Sequence, residues 1–200
     1  KARATWAREW SAAATTDFTL GFDRIGSLLK PEKNAVGTMV SISGLETLGP
    51  QGIGGGVDGV IHRRGGPEIL AACKRIRAER YPDGLPTGEA VITTAGRLSA
   101  RHVIHTVGPV YSGRPDVPAL LAACHTNSLA LAVQEGLRTI AFPAISTGVY
   151  GYPIELAAPI ALGATVAHLR DHPGVHDEVQ FVLFSAPALA TFTSALASLP

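Results

Sequence analysis

The segment GIGGGVDGVIH, residues 52–62, sets four glycines ahead of an aspartate and a histidine. An ordered glycine costs roughly 0.5–1 kcal/mol relative to alanine, so a cluster of them needs a purpose. Free N–H groups at a helix start, left uncovered by glycine, bind phosphate oxygens. Gly54, Gly55, Gly56 and Val57 stand where such groups would be. Asp58 and His62 are four residues apart, so a helix beginning near Val57 carries both on one face. The helix dipole favours the Asp58 carboxylate as an anion, able to act as a base toward water. Asp58 also reads as a plain helix-start acid, and His62 as a core histidine bonded to a backbone carbonyl. A second glycine-bearing loop, STGVYG, spans Ser146, Thr147, Gly148, Val149, Tyr150 and Gly151. Two facing loops of this kind suit a diphosphate. Neither is a Walker loop, because no GK[ST] follows, and the glycine spacing fits the dinucleotide fingerprint poorly.

These loops need elements to hold them. AVGTMVSIS (35–43) and TIAFPAIS (139–146) read as strands, each followed by one of the two loops and then by a helix. FTLGF (18–22), EAVITTA (89–95), HVIHTVGPVY (102–111) and VQFVLFS (179–185) read as further strands. Apolar residues at helical spacing run from Val57 to Arg80, with a break at Gly65-Gly66-Pro67 that predicts two helices. Residues 119–136, with Gly136 as the stop, 153–172 and 188–196 read as helices. Residues 1–16, with Trp6 and Trp10 at i, i+4, predict a short amphipathic helical arm. Strands alternate with helices, which predicts one α/β domain over 1–200, a largely parallel sheet with helices on both faces. In such folds ligands bind at the carboxyl ends of the strands, where both loops fall.

Composition narrows the function classes. Hydrophobic residues make up 46% and charged residues 16%, a globular balance with a sizeable core. The formal charge of +1, without a basic run, argues against a nucleic-acid partner. Cys73 and Cys124 lie in apolar, helical text and read as buried reduced thiols. No Cys/His pair has zinc spacing, so neither metal nor cofactor is expected. No apolar run reads as a membrane span, and no hydrophobic signal core opens the chain. A cytoplasmic location, a monomer and no membrane partner are the expectations.

GIGGGVDGVIHRRGGPEIL (52–70) resembles the first ligand loop and following helix of macrodomains, in their MacroD-type branch. FPAISTGVYGYPIELAA (142–158) resembles that branch's second signature, and PTGEAVITTA (86–95) and HVIHTVGPVY (102–111) its intervening segments. The resemblance covers about residues 50 to 190. It implies a three-layer α/β/α sandwich with a mixed, largely parallel sheet, a fold that binds ADP-ribose. It also implies hydrolysis of ADP-ribose from modified protein Asp/Glu side chains, and often of O-acetyl-ADP-ribose. Its partners would be ADP-ribose or an ADP-ribosylated protein. Gly54, Gly55, Gly56, Val57 and residues Ser146 to Gly151 would hold the phosphates and distal ribose, with Tyr150 against that ribose. Asp58 and His62 would be the catalytic pair, Asp58 as base or orienter of the ribose hydroxyls, His62 also able to support Asp58. Asp23, Ile25 and Phe184 would lie on the adenine side, with Asp17 a rival to Asp23 and core packing an alternative for Phe184. Tyr152 would pack the second loop from behind.

The resemblance departs from the family at the adenine side, where Arg24 separates Asp23 from Ile25 in place of an adjacent Asp-Ile, and at the strand before the first loop. The family sets the text NAAN at the end of the strand before the first loop, and its second Asn counts among the catalytic residues. This chain has only Asn34 and Asn127, neither at that spacing, and Ser41, Ser43 or Gly44 takes the place instead. A serine hydroxyl is shorter than an amide and cannot make the same two contacts. An ADP-ribose-binding reader without catalysis is therefore the alternative function.

Overall fold

The computed structural model describes the backbone of residues 3–11, 14–22, 38–42 and 56–199, and the side chains of 56–199. Strands β1 (Arg3–Ser11), β2 (Ala14–Phe22) and β3 (Thr38–Ile42) precede helices α1 (Gly56–Gly65) and α2 (Pro67–Arg80). Then follow β4 (Ala90–Thr94), β5 (His102–Thr106), α3 (Val117–Gln134), β6 (Thr139–Phe142), α4 (Ile154–Asp171), β7 (Glu178–Leu183) and α5 (Ala186–Ala197). One seven-stranded sheet runs in the order β1-β2-β7-β6-β3-β5-β4. Its five inner strands are mutually parallel, while β1 and β4 run antiparallel on the two edges.

Alternation along β5 assigns the two faces. Ile104 joins the large core made with α3, α4 and α5, where Phe142, Phe181, Leu121, Leu162 and Phe192 are buried. Val103, one residue earlier, points to the opposite face and packs with Ile61, Ile69 and Cys73 of α1 and α2. The result is the three-layer α/β/α sandwich with a mixed, largely parallel sheet.

The helical arm expected over 1–16 is instead β1 and the start of β2, an antiparallel pair with Trp6 opposite Phe18. An i, i+4 spacing of tryptophans fits a period of two as well as a period of 3.6. Pairing with the β-branched run ATTDFTLGF decides in favour of the strand. Two further strands are shorter than expected. β5 stops at Thr106 and β6 at Phe142, just ahead of Pro109 and Pro143, which cannot donate to a ladder. α3 is long and apolar enough to cross a membrane by length and composition, although no apolar run was expected to be. Its residues Leu121, Cys124, Leu129 and Ala132 are buried in the main core.

The break between α1 and α2 falls where expected. Gly66 sits at φ 95° between the helices, with Pro67 opening the second. The Gly65 carbonyl accepts from the Arg97 amide at 2.8 Å, tying the end of α1 to the β4–β5 turn.

Candidate functional site

The parallel strands β5, β6 and β7 end on the same side of the sheet. The loop after β6 is tightly wound. Ser146, not a glycine, takes φ 65°, and Gly151 also takes φ 65°. The Thr147 amide donates to Ala144 O at 3.4 Å, Gly151 to Gly148 O at 2.9 Å and Tyr152 to Ser146 O at 3.0 Å. The amides of Gly148, Val149 and Tyr150 donate to no carbonyl among the described residues. Gly148 and Val149 are exposed, Val149 fully. Three successive amides on a turn, without a carbonyl partner among the described residues, are donors of the kind that an anion can take up. Tyr152 is buried behind the loop, its ring 4.9 Å from that of Tyr111, as expected for a packing residue. Tyr150 is half-buried, and its carbonyl accepts from the Tyr111 amide at 2.9 Å, joining this loop to the one after β5.

Gly56 opens α1 at φ 58°, exposed, with Val57 half-buried beside it. The first amides of a helix have no partner within it, so this end offers a second set of donors. Gly54, Gly55, Asp23, Ile25, Ser43 and Gly44 lie outside the described residues, as does the side chain of Asp17. Phe184, the residue after β7, is 71% exposed, so it does not pack in the core. Asn127 is occupied structurally, donating from Nδ2 to Gly88 O at 2.8 Å.

Asp58 and His62 do share one face of α1, and that face turns inward. Both are buried, with Asp58 Oδ1 3.5 Å from His62 Nε2. Behind them stands a polar cluster that sequence reasoning missed. The His62 ring centroid is 5.8 Å from that of His105, and His105 Nε2 lies 2.8 Å from Thr93 Oγ1 and 3.7 Å from Cys73 Sγ. Burial, and then the neighbouring His62, drives the His105 pKa down to about 3, so this ring is neutral at physiological pH. Burial and the charge of Asp58 push the Cys73 thiol up to about 12, which leaves it protonated and inert as a nucleophile. The donor atoms of His62, Cys73 and His105 all lie within 4.8 Å of one another. Thr93 already engages His105 Nε2 and the thiol holds its proton, so the trio is not a ready ligand set, while His62 Nδ1 is buried with no hydrogen-bond partner among the described residues. The signal was present in HVIHT, whose alternation sends Val103 and His105 together to the α1 face. His62 therefore stands behind Asp58, between it and the core.

A model of the macro domain family matches residues 34–161. The chain belongs to the macro domain family. It is 58% identical over 144 residues to a macro domain-containing protein of Streptomyces griseus, covering 72% of this chain and 80% of that one. It is 50% identical over 148 residues to an O-acetyl-ADP-ribose deacetylase of Klebsiella pneumoniae, covering 74% and 83%. Among solved structures it resembles a Trypanosoma brucei macrodomain in complex with ADP-ribose, with a TM-score of 0.75 and 36% identity over 90% of this chain and 68% of that one.

The macro domain's exposed apolar side chains show a further pattern. Among the described residues the large exposed ones are Val110, Tyr111, Val149, Leu156 and Phe184. All five lie on loops or in the first helical turn at the carboxyl end of the sheet. Such a rim around polar donors is the usual make-up of a ligand face.

Proposed function

We propose that this macro domain binds ADP-ribose between the start of α1 and loop 146–151, and hydrolyses the ester that joins the distal ribose to a protein Asp/Glu side chain or to acetate. The observation that carries the reading is the run of amides at Gly148–Tyr150 that donate to no carbonyl among the described residues, on the loop that follows β6 at the carboxyl end of the sheet. Backbone donors on two elements suit the two phosphates of a diphosphate. The apolar rim, with Phe184 and Tyr111, suits a base and a ribose. Water adds to the ester carbonyl or to the ribose carbon, the carbon–oxygen bond breaks, and the products are ADP-ribose and the free acid. Positioning by these donors supplies most of the effect. Asp58, braced by His62, orients the water or takes its proton.

The alternative is a reader that binds without turnover. Two observations favour it: Ser41, Ser43 or Gly44 stands where the family's asparagine would be, and the Asp58 carboxylate is buried against His62. Titration calorimetry with ADP-ribose tests binding, and absence of heat at millimolar ligand would refute both readings. Incubation with a carboxylate-linked mono-ADP-ribosylated protein, and separately with O-acetyl-ADP-ribose, tests chemistry. Release of ADP-ribose supports the hydrolase; binding without release leaves the reader.

A further inference from the structure

The net charge of +1 conceals a separation of charge along the chain. Residues 56–101 hold eight Lys and Arg against five Asp and Glu, while residues 102–199 hold three against six. The fold gathers the cations of the first part into one layer. Arg63 and Arg64 end α1, Lys74, Arg75 and Arg80 lie on α2, and Arg97 and Arg101 lie on the β4–β5 turn, all of them exposed. The eighth, Arg77, is half-buried. A Cβ placed on Gly66 would stand 3.0 Å from Arg97 Cζ, so this guanidinium lies over the junction of α1 and α2. From that junction α2 runs roughly 20 Å, at about 1.5 Å per residue, to Arg80. None of the seven exposed cations pairs with a carboxylate among the described residues, whereas Arg114 is paired with Asp116 and Arg138 with Asp177. Glu68 and Glu79 are the exposed acids on this layer, so cations outnumber carboxylates seven to two. Helix dipoles favour a cation in a last helical turn, which accounts for Arg63, Arg64 and Arg80. They do not account for Lys74 and Arg75 in mid-helix, or for Arg97 and Arg101 on a turn.

We propose that the outer face of α1 and α2, with the β4–β5 turn, binds the phosphate backbone of double-stranded nucleic acid. Six of the seven cations are arginines, whose planar fork matches a phosphate. A duplex carries about one charge per 1.7 Å of its axis, so a stripe of roughly 20 Å meets more phosphates than it has cations. The make-up of the face selects among anionic partners. The large exposed apolar residues, Val110, Tyr111, Val149, Leu156 and Phe184, all lie elsewhere. The face therefore has no large apolar side chain to insert into a membrane interface, and no open ring on which unpaired bases would stack. Tyr81, next after α2, is half-buried, with the Arg80 guanidinium 5.4 Å from its ring centroid. The cations stand on two packed helices and a turn tied to them, a fixed array that suits the regular backbone of a duplex better than a flexible acidic polypeptide. Arg97 and Arg101 precede β5, at the end of that strand opposite the ligand loops, so a duplex and ADP-ribose can be held together.

Fluorescence anisotropy of the full chain with a short labelled DNA duplex, and with the RNA duplex of the same sequence, tests the proposal. Micromolar binding at about 50 mM salt is expected, with log affinity falling against log salt by about 0.9 for each phosphate engaged. The two arms tell B-form from A-form backbone. Lys74→Gln combined with Arg97→Gln should make the salt slope shallower by about 2 and weaken all sequences alike. Arg114→Gln combined with Arg138→Gln removes the same charge away from this face and should leave the slope as in wild type. The assignment would be overturned by no binding of either duplex at about 50 mM salt, or by an equal loss in the Arg114 and Arg138 control. Displacement by ADP-ribose would overturn it by moving the duplex to the ligand loops, and equal competition by poly-glutamate by making the partner an acidic polypeptide.

Discussion

Asp58 serves two environments. Its helix start favours the anion, and its side chain is buried beside His62, 3.5 Å away, and near the Cys73 thiol. A carboxylate held this way has little freedom, which suits a group that must orient water. Asp58→Ala is expected to slow ester hydrolysis by roughly 10–10⁴-fold, the span for one positioned acid–base group. The affinity for free ADP-ribose should change far less, because the phosphate donors are backbone amides. Single-turnover rates and calorimetry on the same preparation check both halves, and a rate within twofold of wild type would remove Asp58 from the chemistry. Gly148 gives the complementary case. A Cβ there meets nothing within 4 Å and its φ is not positive, so Gly148→Glu should fold normally. The new carboxylate would enter the run of amides and repel a phosphate, and calorimetry should show binding lost with the melting temperature unchanged.

At the scale of elements, the second loop depends on the strand beside it. A Cβ on Gly108, just past β5, would lie 2.3 Å from Ser146 Oγ and 2.9 Å from Ile145 Cγ2. Ser146 is already in the left-handed region, with its hydroxyl buried and unpaired among the described residues. Gly108→Ala should therefore displace loop 146–151 and weaken ADP-ribose binding, while the β6–β7 core stays intact. Calorimetry paired with near-ultraviolet circular dichroism separates the two effects; unchanged affinity would mean that the loop is not set by this contact. Gly148 and Asp58 were legible in the sequence because they sit in short motifs at fixed offsets from a helix start. The helices and the parallel strands were legible too, from period and from glycine and proline punctuation. Gly108 was not, since its neighbour Ser146 lies 38 positions away and only the folded sheet brings them together. The His62–His105–Cys73 cluster was hidden for the same reason. β1 was misread because its tryptophan spacing satisfies two periods at once.

For the molecule as a whole, histidines set the acid limit. Burial holds His105 near a pKa of about 3 and His125 near about 4, and His168 lies at about 4. The unfolded chain, with histidines near 6.5, takes up protons first as pH falls. Stability should be full above about pH 6.5 and should drop steadily toward about pH 4. The slope is about 1.4 kcal/mol per pH unit for each histidine that gains its proton on unfolding. Urea denaturation at several pH values across this window gives the slope directly. A flat profile down to about pH 5 would mean that these rings are hydrated or charged in the native protein.

The run of amides at Gly148–Tyr150 has a consequence for how this protein can drift. Main-chain groups recognise without regard to the letters that carry them, so Val149, fully exposed at the tip, is free to vary. What selection must guard is shape: the left-handed turns at Ser146 and Gly151 and the absence of bulk or negative charge over the amides. Saturation mutagenesis scored by ligand capture should find position 149 tolerant of small and polar residues alike, with intolerance gathered at the bends that flank it.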